Sequence, residues 1–224
     1  MIRVAFLAST VTALVGPQHR RPPSARSAEA TLGLGCFWEP SETLLKLDGV
    51  EATRCGYAGA AFPHAKPDYN SVCGGDGNVE AVRITYDDSV VAYEAVLDAA
   101  FAASKPVLGS RQYAPIVFAA NDAEAERAAA WVAKGGVRDN GLQRKQFSVE
   151  QTDTFWLAEG YHQEYWQKWR PRYAVLFGLI ALQYADSKLD MLPLAADTAC
   201  NVLVVGIGLL FLGERVLDSE TTKV

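Results

Sequence analysis

Between residues 30 and 169 the chain alternates short β-branched runs with segments of helical spacing, and that alternation confines it to a mixed α/β architecture. Residues 30–34 (ATLGL) form an apolar run that stops at Gly35 and reads as a strand. Leu44, Leu45 and Leu47 share a helical face, with Pro40 suited to the first turn and Gly49 to the stop. Residues 50–57 read as a second strand, and the Gly-, Pro- and Asp-rich stretch 58–78 as a loop. Residues 79–86 (VEAVRITY) alternate and are β-branched, a strand pattern. Val96, Leu97, Ala100 and Phe101 lie on one face of a helix over 93–103. Residues 116–119 and 147–151 read as strands. Residues 121–132, capped by Asn121 or Asp122, and 161–169 read as helices. No strict βαβ repeat is present, which favours a two-layer α/β sandwich over a doubly wound sheet.

The two ends are unlike this middle. Residues 1–28 hold no Asp or Glu but four arginines, Arg3, Arg20, Arg21 and Arg26. Within them residues 4–16 are uncharged, about as long as a signal-peptide core and too short to span a bilayer. The segment reads as a cleaved leader for an organelle (plastid or mitochondrion) or the secretory route. Without it the net charge falls from −5 to −9, an acidic balance that argues against a nucleic-acid partner. Residues 174–182 and 198–213 are uncharged apolar runs, the second just short of the roughly 18 residues that mark a membrane helix. They read as buried helices or as a membrane attachment through residues 174–213. The expected division is a targeting segment 1–28, a catalytic domain 29–172 and a hydrophobic extension 173–224.

The four cysteines, Cys36, Cys55, Cys73 and Cys200, form no CxxC, and only three histidines accompany them, so no metal site is expected. Cys36 follows a strand and a glycine and stands at the start of a helix, where free N–H groups favour a thiolate. Phe37 and Trp38 beside it can wall a pocket for a small apolar group. A papain-like cysteine hydrolase, pairing Cys36 with His162, is one reading of these residues, although the C-G-x-C-W signature is absent.

Five segments in order then carry a resemblance: GCFW at 35–38 with Gly49-Val50 beyond it, GYAG at 56–59, PDYNSVCGGDGNVEAVRITYD at 67–87, Gln112-Tyr113, and FWLAEGYHQEY at 155–165. Over roughly residues 30–170 the chain resembles the A-type peptide methionine sulfoxide reductases. The resemblance implies that Cys36 attacks the sulfoxide sulfur and that Glu80 protonates the oxygen. It implies also that Tyr57 and Tyr113 hydrogen-bond that oxygen and that Phe37 and Trp38 receive the methyl group. The chemistry needs such an acid, because sulfoxide sulfur is a poor electrophile until its oxygen gains positive character. Glu80 stands in an apolar strand, where desolvation raises a carboxyl pKa. Taken without the resemblance, Glu80 is an outward strand residue, Tyr57 and Tyr113 are core aromatics with wet hydroxyls, and His162 is a structural histidine.

Attack leaves Cys36 as a sulfenic acid and releases methionine. No cofactor is expected; an external thiol, thioredoxin or another, restores the enzyme, with Cys200, Cys55 and Cys73 as candidates for a resolving thiol. Cys200 sits in an apolar run, which disfavours a reactive thiol. The expected substrates are oxidised proteins or free methionine sulfoxide, and the chain is expected to be a monomer. The chain departs from the family pattern at Glu39, Ser41, Asn78-Val79, Ser104-Lys105-Pro106, Ala114-Pro115 and Leu108, where an Asp is usual. These departures keep an inactive sulfoxide-binding module as a further alternative. The expected fold is an α/β (α+β) two-layer sandwich, a ferredoxin-like plait with a hydrophobic helical C-terminal extension.

Overall fold

The computed structural model describes residues 26–60, 66–152, 154–189 and 194–221. The expected leader therefore lies, but for its last three residues, outside the described part. The elements in order are β1 (Ser27–Leu34), α1 (Trp38–Leu44), β2 (Val50–Ala58), α2 (Tyr69–Cys73), β3 (Val79–Asp87) and α3 (Tyr93–Ala103). They continue with β4 (Pro115–Ala119), α4 (Asp122–Ala133), β5 (Ser148–Gln151), β6 (Trp156–Leu157), α5 (Tyr165–Leu189) and α6 (Leu194–Thr221).

One sheet runs in the order β5-β4-β1-β3-β2-β6. Neighbours are antiparallel except β4 and β5, which are parallel. β1 and β2 thus straddle β3 with α1 between them, and β3-α3-β4 repeats the crossover, which makes the central four strands a ferredoxin-like plait.

Side-chain alternation divides the sheet into two faces. Leu32 and Leu34 of β1, Cys55 and Tyr57 of β2, Val82, Ile84 and Tyr86 of β3 and Val117 of β4 belong to the main core. Leu44 of α1, Leu97, Ala100 and Phe101 of α3, and Ala128 and Trp131 of α4 close over it. Each fully buried Leu or Phe contributes about 1.5–3 kcal/mol relative to exposure. On the other face Ala58, Val79, Ala81, Ile116 and Phe118 form a smaller cluster with Phe155.

Two local outcomes differ from the sequence reading. α1 ends at Leu44 rather than running to Gly49, and a tight turn follows in which Lys46 N–H donates to Thr43 O and Leu47 N–H to Leu44 O. Leu45 and Leu47 still pack on the core from that turn. Within the expected loop 58–78 lies α2, a single turn fixed by a capping box: Asp68 accepts from Ser71 N–H at 2.8 Å, and Ser71 Oγ accepts from Asp68 N–H at 3.1 Å.

The aromatic helix expected over 161–169 is a 3-10 turn, Gly160–His162, followed by the much longer α5. α5 runs unbroken across the expected boundary at 172/173. It pairs antiparallel with α6: Arg172 meets Glu214 at 2.7 Å, and Gln183 Nε2 donates to Asn201 Oδ1 at 2.8 Å. The outer surface of this hairpin exposes Phe177, Ile180, Leu182, Val202, Leu209 and Leu210. The expectation of membrane attachment through 174–213 finds no support in it. No described helix is long and apolar enough to cross a membrane. The two apolar runs lie on separate helices, with Gln183, Asp186 and Lys188 closing the first.

Candidate active site

The site is assembled where β1 hands over to α1. Leu34 O accepts from Lys105 N–H at 2.8 Å, and Gly35 bridges Lys105 in turn. Gly35 has φ +85°, and a Cβ there would lie 2.0 Å from the Lys105 carbonyl oxygen, so glycine alone fits this joint. Cys36 follows with its side chain reaching solvent. Partial burial pushes its thiol up from the usual value; the Trp38 N–H, donating to the sulfur, works against that, while Glu80 and then Glu39 add to it. The expectation that the helix start would favour a thiolate is therefore corrected. α1 is only seven residues long, and desolvation beside two carboxyl groups outweighs its N–H groups.

Glu80 is 2% exposed and lies on the helix-covered face, two residues before Val82. Its Oε2 accepts from Phe37 N–H at 3.2 Å and its Oε1 from Gln112 Nε2 at 2.9 Å. Burial raises its pKa, and hydrogen bonds from Gln112, Phe37 and the Tyr113 hydroxyl restrain the rise. The outward reading of Glu80 does not hold, because β3 is buried on both faces at this end. Gln112 reaches three groups through one nitrogen: Glu80, the Tyr113 hydroxyl at 3.2 Å and Cys73 Sγ at 3.3 Å. An amide nitrogen has two hydrogens for these three acceptors.

Beside this polar cluster stands an aromatic wall. Phe37 is 1% exposed, its ring edge-on to His162 at 5.0 Å and 6.1 Å from Tyr57. Trp38 stacks on Tyr165 at 3.8 Å with the planes 2° apart, and its Nε1 donates to His162 Nδ1 at 3.0 Å. Nδ1 is thus the accepting nitrogen of His162, and Nε2 lies 3.8 Å from Glu159 Oε2. Through Nδ1 and its ring, His162 is engaged with the aromatic wall. Tyr57 is fully buried, and its hydroxyl donates to Glu159 Oε2 at 2.8 Å. Burial and Glu159 together drive its ionisation far above the usual range. The other Glu159 oxygen accepts from Tyr69 N–H at 2.9 Å, joining α2 to the wall.

The structure thus brings Cys36, Glu80, Phe37, Trp38, Tyr57 and Tyr113 to one end of the sheet. It adds Gln112, Glu159, Gln163 and Tyr165, which residue-type reasoning had not singled out. Gln163 bonds both the N–H and the carbonyl of Cys55 and so pins the 158–163 turn to β2. Their signal was present in the segments QY and AEGYHQEY. Two departures from the family pattern meet at the rim, where Lys105 Nζ and Glu39 Oε2 pair at 2.6 Å.

The other thiols differ sharply. Cys55 is buried beneath Phe37, its Sγ 3.8 Å from the Phe37 carbonyl, and burial pushes it up to about 12. Cys73 is exposed at the end of α2, and Cys200 is buried in α6. Among the described residues no three His, Cys, Asp or Glu groups are arranged to hold a metal ion.

Comparison with known proteins agrees with this arrangement. The sequence profile described as peptide methionine sulfoxide reductase matches residues 28–185. The peptide methionine sulfoxide reductase MsrA of Methanothermobacter thermautotrophicus is 34% identical over 167 residues, which cover 70% of this chain and 96% of that protein. That of Natronomonas pharaonis is 36% identical over 154 residues, covering 63% and 83%. Methionine sulfoxide reductase A of Corynebacterium diphtheriae shares the fold, with a TM-score of 0.54 at 22% identity over 70% of this chain and 80% of that one. The reduced form of Mxr1 from Saccharomyces cerevisiae gives 0.50 at 25% identity over 66% and 88%. A profile spanning most of the described sequence, on a sheet that gathers the matching residues at one end, shows that this chain belongs to the peptide methionine sulfoxide reductase family, oxidoreductases that use thiols to reduce methionine sulfoxide.

Proposed function

We propose that the chain reduces the S epimer of methionine sulfoxide, free or within oxidised proteins, with Cys36 as nucleophile and Glu80 as acid. The observation that carries this reading is the placement of Glu80: a buried carboxyl with a raised pKa, bonded to the N–H of the residue that follows the nucleophile. A neutral Glu80 can give its proton to the sulfoxide oxygen as Cys36 attacks the sulfur. The Tyr113 hydroxyl, which accepts from Gln112 beside Glu80, and the Tyr57 hydroxyl, which donates to Glu159 before substrate arrives, are read as the groups that bond the same oxygen. The methyl group rests against Trp38, with Phe37 beneath. Sulfoxide and Cys36 thiol become methionine and Cys36 sulfenic acid, so oxygen passes to the enzyme and two electrons to the substrate.

An external thiol, of which a thioredoxin is the natural form, returns the sulfenic acid to the thiol. The leader-like composition of residues 1–28 supports work in an organelle or on the secretory route, with residues 29–172 as the catalytic part. Turnover of each sulfoxide epimer with dithiothreitol, or with thioredoxin and NADPH oxidation, tests the reading. The S epimer should turn over and Cys36→Ser should abolish it. Absence of turnover with either epimer overturns it.

A further inference from the structure

We propose that Arg111 is a positioning residue for the reduction: its guanidinium locks the ends of β2 and β3 to the loop between α3 and β4 and so holds Gln112 against Glu80; this rests on the reductase reading above. Four of its five N–H groups are engaged. Nη1 and Nη2 donate to the two oxygens of Glu150 on β5, at 2.7 and 2.8 Å. Nε donates to the Gly77 carbonyl at 3.0 Å, and Nη2 also to the Gly59 carbonyl at 2.7 Å. Both partners of the ion pair are about a third exposed, at 38% and 32%, so the pair adds little stability by itself. What it does is aim a rigid fork at two backbone carbonyls.

The places of those carbonyls connect the fork to the chemistry. Tyr57 pairs with Glu80 and Ala58 with Val79, and there the β2–β3 ladder ends. Gly59 and Gly77 stand just beyond, with φ +94° and +92°, a region open to glycine, and both carbonyls face the guanidinium. The residue after Arg111 then grips Glu80 twice. The Gln112 carbonyl accepts from Glu80 N–H at 2.9 Å, and Gln112 Nε2 donates to Glu80 Oε1 at 2.9 Å. Residues 106–114 belong to no helix or strand; turns from Ser110 N–H to Val107 O and from Ala114 N–H to Arg111 O shape them. Arg111 thus ties the loop that holds the carboxyl group to the strand ends that carry Tyr57 and Glu80.

Lysine cannot replace the fork. Its ammonium is a point charge, whereas the carboxylate and the two carbonyls lie along two edges of a planar group. Without the fork the loop can shift, and a displacement on the order of 1 Å at a reacting group slows an enzyme by up to about 10²-fold. Burial raises the Glu80 pKa, and the Gln112 hydrogen bond is the foremost restraint on that rise. Loosening Gln112 therefore makes Glu80 titrate at still higher pH. The other titratable groups that face Glu80 are Cys36 before α1, Cys55 and Tyr57 on β2 and Tyr113 on the loop, and a substitution at Arg111 leaves all four in the chain.

The test compares Arg111→Met and Arg111→Lys with the parent, as full chains matched for folded fraction by circular dichroism. Single-turnover methionine release from methionine S-sulfoxide should slow by about 10- to 100-fold at saturation in both variants, with the half-saturating sulfoxide concentration within about twofold. In protein labelled with carboxyl carbon-13 glutamate, the Glu80 resonance, identified by its absence from Glu80→Gln, should titrate at higher pH in both. Arg111→Lys keeps the positive charge, so a rise confined to Arg111→Met reports lost charge rather than lost position and overturns the proposal. Restoration of the rate by lysine overturns it too, as does a lower melting point with rate and Glu80 titration at parental values. Glu150→Ala leaves Arg111 in place without its aim and keeps the test available if the Arg111 variants do not fold. It should move both readings in the same direction by less, and parental readings there overturn the proposal. If the unaltered chain releases no methionine the reductase reading falls, while the titration still decides whether Arg111 positions Gln112 on Glu80.

Discussion

Glu80 couples stability to catalysis. Its folded pKa lies above the unfolded value, so its contribution to stability is fully present below the unfolded pKa and is lost as pH rises through the folded one. Glu80→Gln removes that penalty. The variant should therefore melt higher than the parent at pH 8, with the gap narrowing toward pH 5; a gap that does not change with pH contradicts the assignment. Its reduction rate should fall by about 10²–10⁴-fold at neutral pH, the usual worth of a positioned acid, as read by single-turnover methionine release. Cys36 was legible from its neighbours, since a glycine, a strand before and a helix after mark such a turn. Its raised pKa was not, because desolvation depends on what folds over the turn. The direction of Glu80 was hidden for another reason. Both faces of β3 are buried around Glu80, so a charged residue there reads as outward by type, and only its shared parity with Val82, Ile84 and Tyr86 marks the inward direction. Glu159 and Gln163 were hidden by distance along the chain: their partners Tyr57 and Cys55 lie 102 and 108 residues away.

Among the elements, the joint between β1 and α1 is the most constrained. Gly35→Ala places a Cβ on the Lys105 carbonyl and imposes a left-handed backbone that costs roughly 1–2 kcal/mol before the clash is counted. The variant should unfold at clearly lower denaturant than the parent, and its surviving folded fraction should alkylate at Cys36 at an altered rate. α2 shows how a short element escapes a sequence reading. A Gly- and Pro-rich stretch reads as loop, and one turn of helix has no periodicity to find; only the spacing of Asp68 and Ser71 marks it. Asp68→Ala should cost about 0.5–2 kcal/mol locally. Hydrogen exchange at the Ser71 amide should quicken while global melting moves little; unchanged exchange would show that α2 does not depend on its cap. The long regular elements, α3 above all, matched their sequence limits because their apolar spacing has one solution.

At the scale of the molecule, the plait and the hairpin are different kinds of object. The plait buries one main core on the helix-covered side of its sheet, whereas the hairpin touches the rest mainly through its base and leaves Phe177 and Leu209 about two-thirds exposed, at 64% and 61%. Exposed patches of this type bind apolar dyes. The native protein should therefore enhance the fluorescence of an apolar dye, and Phe177→Glu with Leu209→Glu should reduce that signal without lowering turnover. An unchanged signal would place the dye elsewhere. Apolar composition at the C-terminus announced such a segment in the sequence. Its organisation as two helices side by side depended on the Arg172–Glu214 and Gln183–Asn201 pairings, which no local pattern encodes.

The distance in sequence between nucleophile and wall also has a consequence in time. Trp38 is held by His162 and Tyr165, and Tyr57 by Glu159, all on a segment more than a hundred residues downstream. A chain growing from its N-terminus at roughly 5–20 residues per second exposes Cys36 several seconds before that segment emerges. The newborn protein thus passes through a stage that bears the thiol without its enclosure, and competence waits for residues 159–165. A fragment ending before residue 159 would keep the nucleophile and lose the catalyst.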